Sequence, residues 1–144
     1  MKPKLAADAS LFLNLGNVSL PGGSTSLYQS RLLLELCDRL GYTYIQPHAW
    51  CSPSKPPTGH YVTRTRTRLK DAHELIHQFG LSACIRADNA QVLEPYRKTM
   101  QRTLARGGDS RPPRPSGQGH CGHSFDRDNG GAIPGNVQTV SNAA

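Results

Sequence analysis

Apolar residues occur along this chain in short clusters set between turn-forming stretches, and the period of each cluster predicts an element. Leu11 to Gly16 reads LFLNLG, an apolar run closed by polar Asn14 and a glycine, which predicts a buried strand ending near a site. That strand starts so soon after Met1 that the usual lead-in to a core strand is missing, and truncation is the expectation. Beyond the turn-forming Pro21-Gly22-Gly23, the cluster Ser24-Thr25-Ser26 offers helix caps. Leu27, Leu33, Leu34 and Cys37 then lie near one helical face, so a helix is expected that ends at Gly41. Tyr42 to Trp50, rich in aromatic and β-branched residues, predicts a further strand, and Pro47 makes it an edge strand or a broken one.

The next stretches carry conflicting periods. After the proline-rich loop CSPSKPPTGH, Arg64, Arg66, Arg68 and Lys70 occur at every second position. An extended backbone would set all four on one face, whereas a helix would scatter them. Ala72, Leu75, Ile76 and Phe79 then follow the i, i+3, i+4, i+7 spacing of a helix, so period alone leaves that segment ambiguous. Val92, Leu93, Tyr96, Met100 and Leu104 also lie at helical spacing, with Pro95 expected to break or kink the helix. From Gly107 onward glycine, proline and arginine dominate and a loop is expected; no internal repeat is visible.

Composition narrows the class. A chain of 144 residues suits one modest core, and its apolar fraction of 36% with Gly 14 and Pro 11 implies much loop. Lys+Arg 17 against Asp+Glu 10 gives a net charge of +7, which favours a polyanionic partner, nucleic acid first, through attraction and counterion release. Charge alone fits a soluble basic protein without such a partner equally well. No segment approaches the roughly 20 apolar residues of a membrane span. The start MKPKLAADAS has no signal-like apolar stretch, so a cytoplasmic location is expected. Cys37, Cys51, Cys84 and Cys121 are scattered without a C-x-x-C pair, which fits reduced thiols. His120, Cys121 and His123 form an H-C-G-H cluster, but no second ligand pair stands at zinc-finger spacing, and no metal is expected.

Several local patterns carry chemistry less well than they first suggest. LNLGNVSLPGGSTS resembles a phosphate-cradling loop but lacks both the Lys-Ser/Thr ending and G-x-G-x-x-G, so a turn with a helix cap is favoured. SPSKPPT contains Pro56-Pro57, yet Lys55 follows Ser54 and no aromatic follows the prolines to stack on a flipped base. It is not a Ser-Pro-Pro-Tyr site. The alternating cations suit either phosphate contacts or a solvated edge strand whose charges prevent aggregation. His73 beside Glu74 is read as structural.

The order of motifs says more than any one of them. Asn14-Leu15-Gly16 comes first, followed by Trp50 with Pro53-Ser54-Lys55, then Arg66 and Arg68 with Lys70-Asp71-Ala72. Ala87-Asp88-Asn89 through Tyr96, Arg114 to Gly117, and Asp128 to Asn136 complete the series. This order, from about Leu11 to Asn142, resembles the central part of cytosine-N(4)-specific DNA methyltransferases of restriction-modification systems.

The resemblance implies an α/β chain: a partial Rossmann-like, S-adenosylmethionine-dependent methyltransferase fold with a terminal antiparallel hairpin formed by Tyr42–Trp50 and about Ala72–Phe79. It favours strand over helix in the second of these. Residues 1–106 would be a partial methyltransferase domain and 107–144 its loop-rich continuation. The intervening loop would face double-stranded DNA, with Lys55, Arg64, Arg66, Arg68 and Lys70 as the DNA-binding candidates.

In such bacterial enzymes S-adenosylmethionine methylates the exocyclic amine of a cytosine rotated out of the duplex. The Ser-Pro-Pro-Tyr element that holds the amine and the Phe-x-Gly-x-Gly loop that holds the cofactor are both absent from these residues. No catalytic residue is assigned here, no cofactor-binding residue is identified, and the missing parts of the same enzyme are candidate partners. His77-Gln78-Phe79-Gly80 stands where the family tends to carry an aromatic, lysine-containing stretch, and Gly135 where it carries a second proline. The alternative readings are a small non-enzymatic nucleic-acid-binding module working through Arg64–Lys70, and an inert remnant.

Overall fold

A computed structural model describes residues 5–56, 59–108, 125 and 127–140. The chain divides into two compact units, one formed by Met1–Arg86 with Gly135–Ala144 and the other by Ala87–Pro134.

In the first unit, strands β1 (Ser10–Asn14), β2 (Thr43–Cys51), β3 (His73–Gly80) and β4 (Val137–Thr139) form one sheet in the order β1-β3-β2-β4. β3 is antiparallel to both β1 and β2, and β4 is parallel to β2. The expected hairpin of Tyr42–Trp50 with Ala72–Phe79 is therefore present as β2 and β3. The helical spacing of Ala72–Phe79 yields to pairing: Phe79 lies opposite Leu11 on one side and Tyr44 on the other, and His77 opposite Leu13 and Pro47.

Strand alternation gives the sheet two distinct faces. Leu11, Leu13, Tyr44, His77 and Phe79 share one of them. Phe79 is fully buried there, with the rings of Tyr42 and Tyr44 presenting edges at centroid distances of 6.4 and 5.3 Å. Phe12, Gln46, His48, Trp50 and Gln78 occupy the other face. Buried Gln78 accepts from His48 Nε2 at 3.0 Å and donates to Ser10 Oγ at 3.1 Å, which satisfies its amide.

Pro47 sits inside β2 without breaking it. Its carbonyl accepts a hydrogen bond from Asn136 Nδ2 at 2.7 Å, on the side away from β3. Carbonyl and amide of one strand residue point the same way, so the missing N–H costs the β3 ladder nothing.

Helix α1 (Tyr28–Asp38) forms where expected, but its inward side differs from the expected face. Leu36 is buried, while Leu27 and Leu34 are exposed. Tyr42 N donates to Leu36 O at the helix end, and Gly41 takes a positive φ of 72° to turn the chain into β2. The cap also differs. Leu27 holds the N-cap position without a side-chain bond, Ser26 Oγ accepts from Tyr28 N at 3.2 Å, and Ser24 and Thr25 belong to a tight hairpin bridging Ser19 and Thr25.

In the second unit Pro95 interrupts the periodic stretch as expected. A short 3₁₀ turn, Asn89–Val92, is capped by the Asp88 side chain, and helix α2 (Lys98–Ala105) begins only after an extended piece. Glu94 in that piece bridges Ala132 through two backbone bonds of 2.9 and 2.8 Å. Leu93, Tyr96, Met100, Phe125, Ala132 and Ile133 help line a largely apolar cleft of about 500 Å³. The H-C-G-H cluster and residues 109–124 of the expected loop lie outside the described residues.

Candidate nucleic-acid interface

The candidate cations stand on or beside the connection between β2 and β3. Its base is closed by Ser52 N donating to Ala72 O at 2.9 Å. Above it, a single helical turn, His60–Thr63, begins after Gly59, whose φ is 99°. The backbone then folds back on that turn: Thr67 N and Arg68 N both donate to Tyr61 O, at 2.9 and 3.2 Å. Arg66 takes φ 53° in the left-handed region, where a side chain other than glycine is uncommon.

Residues 64–70 are thus not the extended ribbon that their alternating cations predict. The pairing donors that a strand would use are consumed locally, and the side chains diverge. Lys55 Nζ lies 2.7 Å from Glu74 Oε1, an ion pair with both side chains about one-third exposed. Lys70 Nζ donates to Pro53 O at 3.2 Å. The Arg68 guanidinium lies 4.2 Å from the Tyr61 ring centroid and donates to Gly23 O. Arg64 and Arg66 are exposed, and their side chains make no hydrogen bond or ion pair among the described residues.

Glu74 organises the base of the connection. It accepts from Lys55 and, through Oε2, from Asn14 Nδ2 at 3.1 Å. Its carboxyl is held below the ordinary value first by the Lys55 hydrogen bond and then by Asn14, with burial opposing them. Asn14 and Glu74 thereby connect the end of β1 to the start of β3. A cleft of about 320 Å³ opens beside them, lined in part by Asn17, Gln29, Asp71 and His73. Gln29 Nε2 donates to the carbonyls of Leu15 and Gly16, at 2.7 and 2.8 Å, and Tyr28 Oη donates to Gly16 O at 2.6 Å. The Asn14-Leu15-Gly16 segment is fixed by these bonds.

Sequence reasoning missed two participants. Gly23 is buried with φ 84°, and a Cβ there would sit 1.8 Å from the Tyr61 hydroxyl oxygen. The Tyr61 hydroxyl donates to Gly22 O at 3.4 Å. The available signals were the Gly22-Gly23 pair, reserved for an ordinary turn, and Tyr61 as the one aromatic among residues 52–72. His77 is a different matter: it is buried, its Nδ1 lies 3.0 Å from the Tyr44 hydroxyl, and desolvation lowers its pKa. Its position belongs to the packed face of the sheet.

Among the described residues there is no cluster of three or more histidine, cysteine, aspartate or glutamate side chains suited to a metal ion, and no helix is long and apolar enough to cross a membrane. Among the described residues, no carboxylate lines the apolar cleft of the second unit. The Phe-x-Gly-x-Gly sequence is also absent from the chain, and no step through S-adenosylmethionine is assigned to these residues.

No family model matches the chain. It is homologous to the type II methyltransferase M.PvuII of Proteus hauseri, with 31% identity over 143 residues. The match covers 97% of this chain and 43% of that relative, so the chain spans less than half of its length. The solved structure of PvuII DNA methyltransferase (cytosine-N4-specific) superposes with a TM-score of 0.66 and 22% identity, over 99% of this chain and 38% of that one. The likeness establishes a shared α/β fold over the matched part: the four-stranded mixed sheet is a portion of a methyltransferase fold.

Proposed function

We propose that this chain, a homologue of one part of a cytosine-N4-specific methyltransferase, is a DNA-facing portion of such an enzyme. The complete enzyme would transfer methyl from S-adenosylmethionine to the exocyclic amine of cytosine in double-stranded DNA. The observation that carries the reading is the match over 97% of the chain to a type II methyltransferase. The β2–β3 hairpin supports it by holding a basic connection at one end of the sheet. In this reading Arg64 and Arg66 make phosphate contacts, while Lys55, Arg68 and Lys70 flank them and are held by the protein itself.

The groups that would hold the methyl donor and the target amine lie in other segments, which are the expected partners of this one. The 144 residues alone are therefore expected not to methylate DNA. A chimaera in which they replace the matched segment of M.PvuII should form N4-methylcytosine in duplex DNA treated with S-adenosylmethionine. A correctly folded chimaera that binds S-adenosylmethionine yet neither binds nor methylates DNA would refute the proposal. Methyl transfer by the 144 residues alone, above a protein-free control, would refute the division of labour.

A further inference from the structure

We propose that Gly23, Tyr61 and Arg68 form a clasp that presents Arg64 and Arg66 to the phosphates of a duplex, with Arg68 acting as a positioning residue and not as a phosphate contact. This deepens the reading of the chain as a DNA-facing portion of a methyltransferase and rests on it.

The clasp joins segments far apart in sequence. The hairpin turn at Pro21-Gly22-Gly23 brings the Gly23 carbonyl toward the connection, where Arg68 donates to it. The same guanidinium lies over the Tyr61 ring at 4.2 Å, and the ring occupies the space that any side chain at position 23 would require. Tyr61 also fixes the backbone between the free cations and Arg68, since its carbonyl accepts from the amides of Thr67 and Arg68. Arg64 follows the helical turn directly, with its N donating to His60 O at 3.0 Å, and Arg66 occupies the left-handed position inside the closed loop. A non-glycine residue persists there only where the surroundings determine its conformation, and the clasp supplies those surroundings.

Arginine suits this role for a geometric reason. Its planar guanidinium stacks on a ring while donating in its own plane to a carbonyl, whereas the ammonium of lysine is a point charge that cannot do both in the same way. A phosphate contact would tolerate lysine far better. Arg68→Lys therefore separates positioning from charge.

The test uses the 144-residue chain, two unrelated duplexes and a series of salt concentrations. Arg64→Ala and Arg66→Ala should each flatten the slope of log affinity against log salt by about 0.9, the loss of one phosphate contact. Arg68→Lys, Arg68→Ala and Tyr61→Ala should leave the slope unchanged and weaken binding by similar factors, about two- to fivefold for loss of an exposed cation–π contact. Hydrogen exchange without DNA supplies an independent readout: the Thr67 and Arg68 amides should exchange faster in Arg68→Lys and Tyr61→Ala, and at the parent rate in Arg64→Ala. Parent affinity in Arg68→Lys with a flattened slope in Arg68→Ala would make Arg68 a phosphate contact and overturn the assignment. Normal DNA binding with unchanged exchange in both clasp variants would overturn the clasp alone. A parent chain that binds neither duplex would refute the functional reading, and the presentation of Arg64 and Arg66 with it.

Discussion

β3 and the connection that leads into it draw on different sources of order. From Ile76 to Gly80, every β3 residue is paired with β1 on one side and lies within the β2 pairing on the other, and its last four residues are buried. Residues 59–70 enter no strand; their backbone bonds run largely among themselves, to the carbonyls of Gly59, His60 and Tyr61. Every side chain from Thr63 to Lys70 is exposed. Long-range pairing imposes one conformation on β3 and leaves its side chains committed to packing. Local turns, the Lys55–Glu74 pair and the contacts of Tyr61 and Arg68 with Gly22 and Gly23 hold the connection, which leaves cations available to a partner.

The largest expected effect is therefore on β3. Phe79→Ala removes the fully buried ring against which Tyr42 and Tyr44 pack, and should destabilise the fold by about 3–5 kcal/mol. Few large apolar side chains besides Phe79 and Leu36 are buried among the described residues, so the variant should be unfolded or molten at room temperature. Thermal melting followed by circular dichroism reads this directly. A cooperative transition within 1 kcal/mol of the parent would mean that β3 is not the centre of the packed unit.

Next in size is the effect of the connection on DNA. Removing Arg64 and Arg66 together should flatten the salt slope by about 1.8, and lower affinity about equally on unrelated duplexes. The same double variant should unfold within about 0.5 kcal/mol of the parent, because neither side chain makes a bond among the described residues. An unchanged slope would reduce the two arginines to a solvated surface. A large loss of stability would instead show that the connection supports the sheet, and would erase the contrast between the two regions.

The same contrast explains what could be read from the sequence. The strand in LFLNLG, although it is a half-exposed edge strand and not the buried one expected, the Tyr42–Trp50 strand and the break at Pro95 were legible because their signals are local: an apolar run, β-branched and aromatic residues, and a ring without an amide hydrogen. Ala72–Phe79 was not legible from period, since its helical spacing competes with a strand, and only the resemblance favoured pairing. The alternating cations misled in the opposite sense. Period 2 describes an extended chain only if strands pair with it, and here Thr67 and Arg68 spend their amides on Tyr61. The clasp was not legible at all, because Gly23 and Tyr61 are brought together by the fold and nothing in their own neighbourhoods points to the other. The Lys55–Glu74 pair escaped for the same reason.

A smaller and pH-dependent effect belongs to His77. Burial lowers its pKa below the ordinary 6.5, so the fold favours the neutral ring facing the Tyr44 hydroxyl. The unfolded chain then binds the proton more readily. The contribution to stability is complete above about pH 6.5 and is lost as pH falls from there through the lowered folded value. In His77→Gln, which can still bond Tyr44, the unfolding midpoint in urea should depend less on pH just below 6.5. A dependence identical to the parent's would assign the effect to other groups.

The smallest effect tests the link between the two regions, since Lys55 stands at the foot of the connection and Glu74 on β3. Glu74 has its pKa lowered by Lys55 first and Asn14 second, so its contribution to stability is present above the ordinary carboxylate value of 4.5. It is lost as pH falls through the lowered folded value. Both side chains are about 31% exposed, and solvent screening limits the pair. A double-mutant cycle of Lys55→Met and Glu74→Gln should give a coupling of about 0.2–1 kcal/mol at neutral pH, vanishing in acid. If the pair holds, Lys55→Met leaves the DNA salt slope at the parent value, while Glu74→Gln, by releasing Lys55, steepens it by up to about 0.9. Zero coupling together with a flatter slope in Lys55→Met would place Lys55 with Arg64 and Arg66 as a phosphate contact. The boundary between the packed strand and the proposed DNA-contacting connection would then lie on the β2 side of Lys55.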